Sequence, residues 1–157
     1  MLETREKQLK LWRELIIDYC MFSHSFSIVP THFPYFKNAD IDRQLSAKGI
    51  DAVVESLIRA GNAEWEDGLR TNLRIMWKSP AVLAAEIYAW ATTSEIVGTV
   101  FTIYELHSGE DNQDSGFHGT DPVLVRRAVE LLQNEKKCVI IAGSTREEDG
   151  VKFLAAS

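Results

Sequence analysis

A chain of 157 residues, 45% hydrophobic and 25% charged with nine Gly and four Pro, can build one core or two small ones, which excludes disordered and fibrous classes. No run reaches the roughly 18 apolar residues of a bilayer span, and Met1 to Lys7 lacks the apolar stretch of a secretion signal, so a cytosolic protein is expected. Seventeen basic against 23 acidic residues leave a net charge of -6. The excess is local: residues 1–78 hold 11 of each sign, whereas residues 79–157 hold 6 basic and 12 acidic. Such a surface opposes binding to polyphosphate unless a basic patch is segregated.

In chain order, Leu9, Trp12, Leu15, Ile16 and Tyr19 recur at three- and four-residue spacing and predict an amphipathic first helix. A short strand over Ser25 to Ile28 follows. Pro34 to Leu45 predicts one or two short helical turns. Ser46 is placed to cap a helix running to about Ala60, with Ile50, Val53, Val54, Leu57 and Ile58 on one face and Gly61 as a left-handed stop. Ala63 to Glu66 and Leu73 to Trp77 read as strands about the turn at Asp67-Gly68. Ser79-Pro80 then starts a second helix, because Ser caps and Pro at the first helical position loses no hydrogen bond. Thr99 to Phe101 forms a strand, Ile103 to His107 a short helix, and Asp121-Pro122 opens a third helix with Leu124, Val125, Ala128, Val129, Leu131 and Leu132 inward. Cys138 to Ile141 and Val151 to Leu154 are strands about Asp149-Gly150.

Both halves therefore have the same order of elements, and a shift of 75 residues brings them together. Phe26-Ser27-Ile28 falls on Phe101-Thr102-Ile103, Val54 to Leu57 on Val129 to Leu132, and Trp12 and Leu15 on Ile87 and Trp90. The wing turns align only after seven extra residues in the second copy. The expected fold is α+β, mainly α, with two tandem winged-helix domains over residues 1–78 and 79–157. Trp12, Trp77 and Trp90 are expected in the cores, while Trp65 lies beside the first wing.

Winged helices serve as DNA readers or as docking blocks. A DNA reader needs a basic third helix with a wing on the phosphates. Lys48, Asp51, Glu55 and Arg59 sum to zero in the first copy. The second offers Arg126 and Arg127, with Lys136 and Lys137 beyond the helix, but also Asp121, Glu130 and Glu135, and the wing Ser144 to Asp149 is net negative. A nucleic-acid-binding transcription regulator remains the alternative to a protein adaptor, which the acidic surface suits better.

No enzymatic constellation emerges. His24, His32, His107 and His118 form no HExxH pair, and neither a nucleophile elbow nor a phosphate loop occurs. Cys20 and Cys138 sit in apolar contexts as small hydrophobes. The cluster Glu110 to Gly116 resembles the front of a calcium loop, but with Asp111 as first ligand the twelfth position is Pro122 where a bidentate Glu is required. No cofactor or metal is expected. The cluster is either a solvated loop or a landing site for a basic helix.

Glu3 to Leu9, Gly61 to Trp65, Ile75 to Pro80, Val100 to Leu106, Gly109 to Asp111, Phe117 to Gly119 and Gly150 to Phe153 together resemble the family of the smallest ESCRT-II subunit, vacuolar protein sorting-associated protein 25. The resemblance implies two winged helices and a non-enzymatic adaptor recruited peripherally to endosomes, its membrane contact indirect. Two copies would join two larger subunits through the first domain. The second domain would engage the first helix of an ESCRT-III subunit and nucleate the assembly that sorts ubiquitinated cargo. Members usually carry an aromatic, proline-rich docking segment ahead of the first helix. Only Met1 precedes Leu2 here, so either the chain is truncated, its start is misassigned, or docking rests on the body of the first domain. Against a basic amphipathic ESCRT-III helix, Glu110, Asp111 and Asp114 would steer, Glu105 would assist, and Phe117, beside His118 in a flat, partly apolar setting, would supply apolar contact. Arg59 is the candidate for docking to the larger subunits, although a helix-terminal cation favoured by the dipole reads equally well.

Overall fold

A computed structural model describes residues 2–38 and 43–155. The chain divides into two compact units, residues 1–77 and 78–157.

In the first unit, helix α1 (Leu2–Ser23) buries Ile16 and Cys20 completely and half-buries Leu9, Trp12 and Tyr19. Leu15, expected on the inner stripe, is 39% exposed because the helix turns its Ile16 face inward. The chain then forms strand β1 (Ser27–Ile28) and two 3-10 turns, Pro30–His32 and Pro34–Phe36. Prolines begin both turns, where a missing N–H is harmless. A short antiparallel pair, β2 (Lys37–Asn38) and β3 (Arg43–Gln44), occupies the rest of the span expected to be helical. Residues 39–42 of that span lie outside the described residues.

Helix α2 (Ala47–Arg59) starts where its cap predicts: the Gly49 N–H donates to Ser46 Oγ at 3.0 Å. It buries Val53, Val54 and Leu57 and stops before Gly61, at φ 80°. Strands β4 (Ala63–Trp65) and β5 (Leu73–Ile75) complete a sheet of order β1-β5-β4. Alternation along β5 sends Leu73 and Ile75 into the core at 0% exposure and Arg74 to the other face, 2.6 Å from Glu64 of β4. Trp77 packs against this core, stacks on Phe26 at 5.0 Å and donates its indole N–H to the Ser25 carbonyl.

The second unit repeats the plan. Helix α3 (Pro80–Thr93) is capped by Ser79, whose Oγ accepts from the Val82 N–H, and buries Leu83, Ala84, Ile87 and Ala91. Strand β6 (Val100–Thr102) runs directly into helix α4 (Ile103–Ser108), and a 3-10 turn at Glu110–Asn112 leads to helix α5 (Pro122–Asn134). Strands β7 (Cys138–Ile141) and β8 (Gly150–Phe153) give the order β6-β8-β7, matching the first unit.

Pairing refines the 75-residue shift. Ala63 opposite Ile75 corresponds to Cys138 opposite Phe153, and Val54 and Leu57 match Val129 and Leu132 in burial. The first strand does not keep that shift. Ile28 faces Leu73 as Phe101 faces Val151, so the partner of Phe101 is Ile28 and not Phe26. The second wing is also extended less than expected: seven residues separate Trp65 from Leu73, and ten separate Ile140 from Val151.

Candidate docking sites

Helix α4 is a tightly specified scaffold. Thr102 Oγ1 accepts from the Glu105 N–H at 3.0 Å, and Glu105 Oε1 accepts from the Thr102 N–H at 3.1 Å, a reciprocal cap. Glu105 is thus half-buried and engaged in holding the helix start. At the other end, a Cβ on Gly109 would lie 2.3 Å from the Glu105 carbonyl oxygen, so only glycine admits this close approach.

The loop that follows is fixed from within. Asn112, 2% exposed, donates to the carbonyls of Glu105 and Leu106 at 3.1 and 2.7 Å and pairs through Oδ1 with His118 Nδ1 at 2.9 Å. Gly119, at φ 80°, returns its N–H to the His107 carbonyl at 2.6 Å. These bonds hold Glu110, Asp111 and Asp114 on an exposed rim. They also place Phe117 inside, at 1% exposure, edge-on to Trp90 at 5.6 Å between ring centres. Phe117 therefore supports the rim and offers no apolar contact to a partner. His118 orients Asn112. The six residues expected at one site accordingly divide into three exposed carboxylates and three groups occupied in supporting them.

The second wing packs against α4 and α5. The Ile103 and Tyr104 N–H groups donate to the carbonyls of Asp149 and Glu147, both at 3.0 Å. Asp149 is 8% exposed, accepts from the Gly143 N–H at 2.8 Å and meets Arg126 Nη1 at 2.7 Å. The Gly143 amide, followed by Arg126, holds the Asp149 carboxyl below its usual range, and Asp149 raises the Arg126 guanidinium in turn. Asp149-Gly150 is therefore the root of the wing and not its tip, since Gly150 already belongs to β8. Arg126 also pairs with Glu130 at 3.1 Å, which commits a cation that a DNA reader would aim at phosphate.

His107, 8% exposed, brings Nε2 within 3.8 Å of Glu147 Oε1 while making no hydrogen bond through that nitrogen. Burial lowers its pKa below 6.5, with Glu147 and Asp121 pulling the other way and His118 adding to the depression. Burial likewise pushes the Cys20 and Cys138 thiols up to about 11, leaving them protonated and unreactive. Among the described residues, no group of three or more His, Cys, Asp or Glu is placed to hold a metal ion. No described helix is long and apolar enough to cross a membrane.

In the first unit, Arg59 is exposed at the end of α2 and pairs with Glu55 at 3.1 Å. It borders a groove of about 450 Å³ between α1 and α2, lined also by Arg5, Glu6, Arg13 and Ser56. Arg13 Nη1 donates to Ser56 Oγ at 2.5 Å. Arg5, Arg13 and Arg59 thus line one notch, together with Glu6 and Glu55, where the sequence pointed to Arg59 alone. The missed signal was the i, i+4, i+8 spacing of Arg5, Leu9 and Arg13, which puts both arginines on the helix edge beside the buried stripe.

Two sheets of the same order, each backed by helices and closed by a wing, make this a tandem winged-helix protein of the α+β class. Residues 1–121 match the family model for the ESCRT-II complex subunit, and the chain belongs to that family. Vacuolar protein-sorting-associated protein 25 of Xenopus laevis is 37% identical over 155 residues, covering 97% of this chain and 88% of the relative. The Homo sapiens protein of that name is 37% identical, covering 97% and 87%, and the Arabidopsis thaliana protein 34%, covering 96% and 85%. The crystal structure of subunit VPS25 of the endosomal trafficking complex ESCRT-II superimposes with a TM-score of 0.82 at 22% identity, over 96% of this chain and 88% of that one. The crystal structure of endosomal complex ESCRT-II (VPS22/VPS25/VPS36) gives 0.79 at 23% identity, over 96% and 88%. These two superpositions speak to the fold.

Proposed function

We propose that the chain is a non-enzymatic adaptor of ESCRT-II in endosomal sorting, which joins two larger subunits through its first unit and presents its second to an ESCRT-III subunit. Family membership across residues 1–121, with relatives named for vacuolar protein sorting, is the observation that carries the reading. Within the first unit, Arg59, Arg5 and Arg13 suit a carboxylate-bearing segment of a larger subunit, because clustered guanidinium groups bind carboxylates through paired hydrogen bonds. Residues 79–157 carry the acidic excess, and the rim of Glu110, Asp111 and Asp114 would steer a basic amphipathic helix. With Phe117 in the core, apolar contact falls instead to exposed groups such as Tyr104, 53% exposed on α4.

The chain mixed with the two larger ESCRT-II subunits and, separately, with a basic ESCRT-III first helix tests both halves of this reading. Capture of the subunits is expected, with loss on Arg59→Glu. Binding of the helix is expected to fall roughly three- to tenfold on Asp111→Lys with Asp114→Lys, at unchanged circular dichroism, since exposed ion pairs contribute only about 0–1 kcal/mol each. Helix binding that ignores both reversals would remove the rim from the site. Failure to capture either subunit would count against the adaptor itself.

A further inference from the structure

Helix α1 carries a second apolar stripe that the first unit's core does not use. Leu11 is 65% exposed, Leu15 39% and Phe22 95%, and their spacing of four and seven residues sets them on one line along the helix. Phe22 in line with two exposed leucines makes an apolar strip and not a scattered residue, and such strips mark interaction surfaces. The buried stripe of Trp12, Ile16, Tyr19 and Cys20 occupies a different face, so the helix has one apolar face committed and one uncommitted.

The charges beside the uncommitted stripe determine what fits it. Lys7 and Lys10 lie toward the start of α1, and Glu14 and Asp18 toward its end, all exposed and all on one side of the stripe, with Asp18 nearest to it and Lys10 furthest round the helix. An edge that is basic at one end and acidic at the other repels a parallel copy of itself and attracts an inverted one. Inverted pairing about the level of Arg13 sets Leu11 opposite the partner's Leu15 and Leu15 opposite the partner's Leu11. The same register brings Lys7 to the level of the partner's Asp18 and Lys10 near the partner's Glu14. It also lays Phe22 over the partner's Thr4 and Gln8. A two-fold axis makes every one of these contacts twice.

We propose that the exposed Leu11–Leu15–Phe22 stripe of α1 is the contact surface for a second copy of this chain, the two helices packing antiparallel. The contact is one helix wide and smaller than a standard stable interface, so it forms at high concentration. It does not rest on the adaptor reading and is tested on the chain alone.

Sedimentation over a wide concentration range should show the mass rising from 17.7 kDa toward twice that value. Lys7→Glu alone and Asp18→Lys alone should each reduce association several-fold, and the two together should restore it. Leu11→Cys mixed with Leu15→Cys should oxidise to a crossed dimer faster than either variant alone, since Cys20 and Cys138 are buried and do not compete. Circular dichroism on each variant checks folding, which these exposed positions leave intact. A mass that stays monomeric at every concentration overturns the proposal, as does cross-linking fastest between identical positions, which indicates a parallel pair. Charge variants that fail to rescue one another overturn the antiparallel register.

Discussion

Phe117 shows how one side chain can be misassigned by its setting. It lies in a polar loop rich in Gly and Asp, which in sequence suggests an exposed tip. Asn112 instead draws the loop inward through three hydrogen bonds, and the ring fills space beside Trp90. Its replacement therefore reports on the core. Phe117→Ala should cost the second unit about 3–5 kcal/mol of stability, read as a lower urea midpoint. A variant of unchanged stability that loses only partner binding would return Phe117 to the surface. His107 makes a related point, because nothing in a lone histidine within a short helix announces that one ring nitrogen will be buried without a hydrogen bond.

At the scale of elements, caps were the most legible feature, since they depend on residues within one turn. Ser46, Ser79 and Asp121 all accept from the backbone where their positions predict. Pairing across the sheet was less legible. The first strands are equivalent at a shift two residues smaller than the helices, and Asp149-Gly150 is rooted by Arg126 and the Gly143 amide. The strand pairing and the Arg126 contact, which spans 23 positions, join residues far apart in the chain, which a local reading does not reach. The wing root also gives the second unit a two-step response to acid. The folded His107 pKa lies below 6.5, so the unfolded chain takes up this proton first and stability begins to fall as pH drops below about 6.5. The folded Asp149 pKa lies below 3.8, so the stability it contributes is present above about pH 3.8 and is lost as pH falls through the folded value. Thermal melts from pH 7 to pH 3 should lose the upper step in His107→Gln and the lower step in Asp149→Asn. Melts of both variants that parallel the parent at every pH would show that neither group couples folding to acid.

For the whole molecule, the repeat in the sequence anticipated two similar sheets because both copies keep the same alternation of apolar and polar positions. Each unit has a core of its own, around Ile16, Leu57, Leu73 and Ile75 in the first and Ile87, Leu106, Val125, Leu132 and Phe153 in the second. Units of about 80 residues are near the lower limit at which a single core outweighs chain entropy. Residues 78–157 expressed alone should nevertheless fold, with one cooperative urea transition and the helical circular dichroism of three packed helices. A gradual, non-cooperative transition would mean that this unit depends on residues 1–77.

The two wings and the two first strands departed from a common spacing under different rules. Between Ile140 and Val151 the chain gained an odd number of residues relative to its counterpart, because a loop has no faces to exchange. The first strand moved by an even number, since a single-residue step would have turned Phe101 outward and Val100 or Thr102 inward. Grafting one half onto the other thus has a parity requirement. A chimera cut in the wing can accept any length, whereas one cut in the first strand keeps its hydrophobic side only if the junction shifts in steps of two.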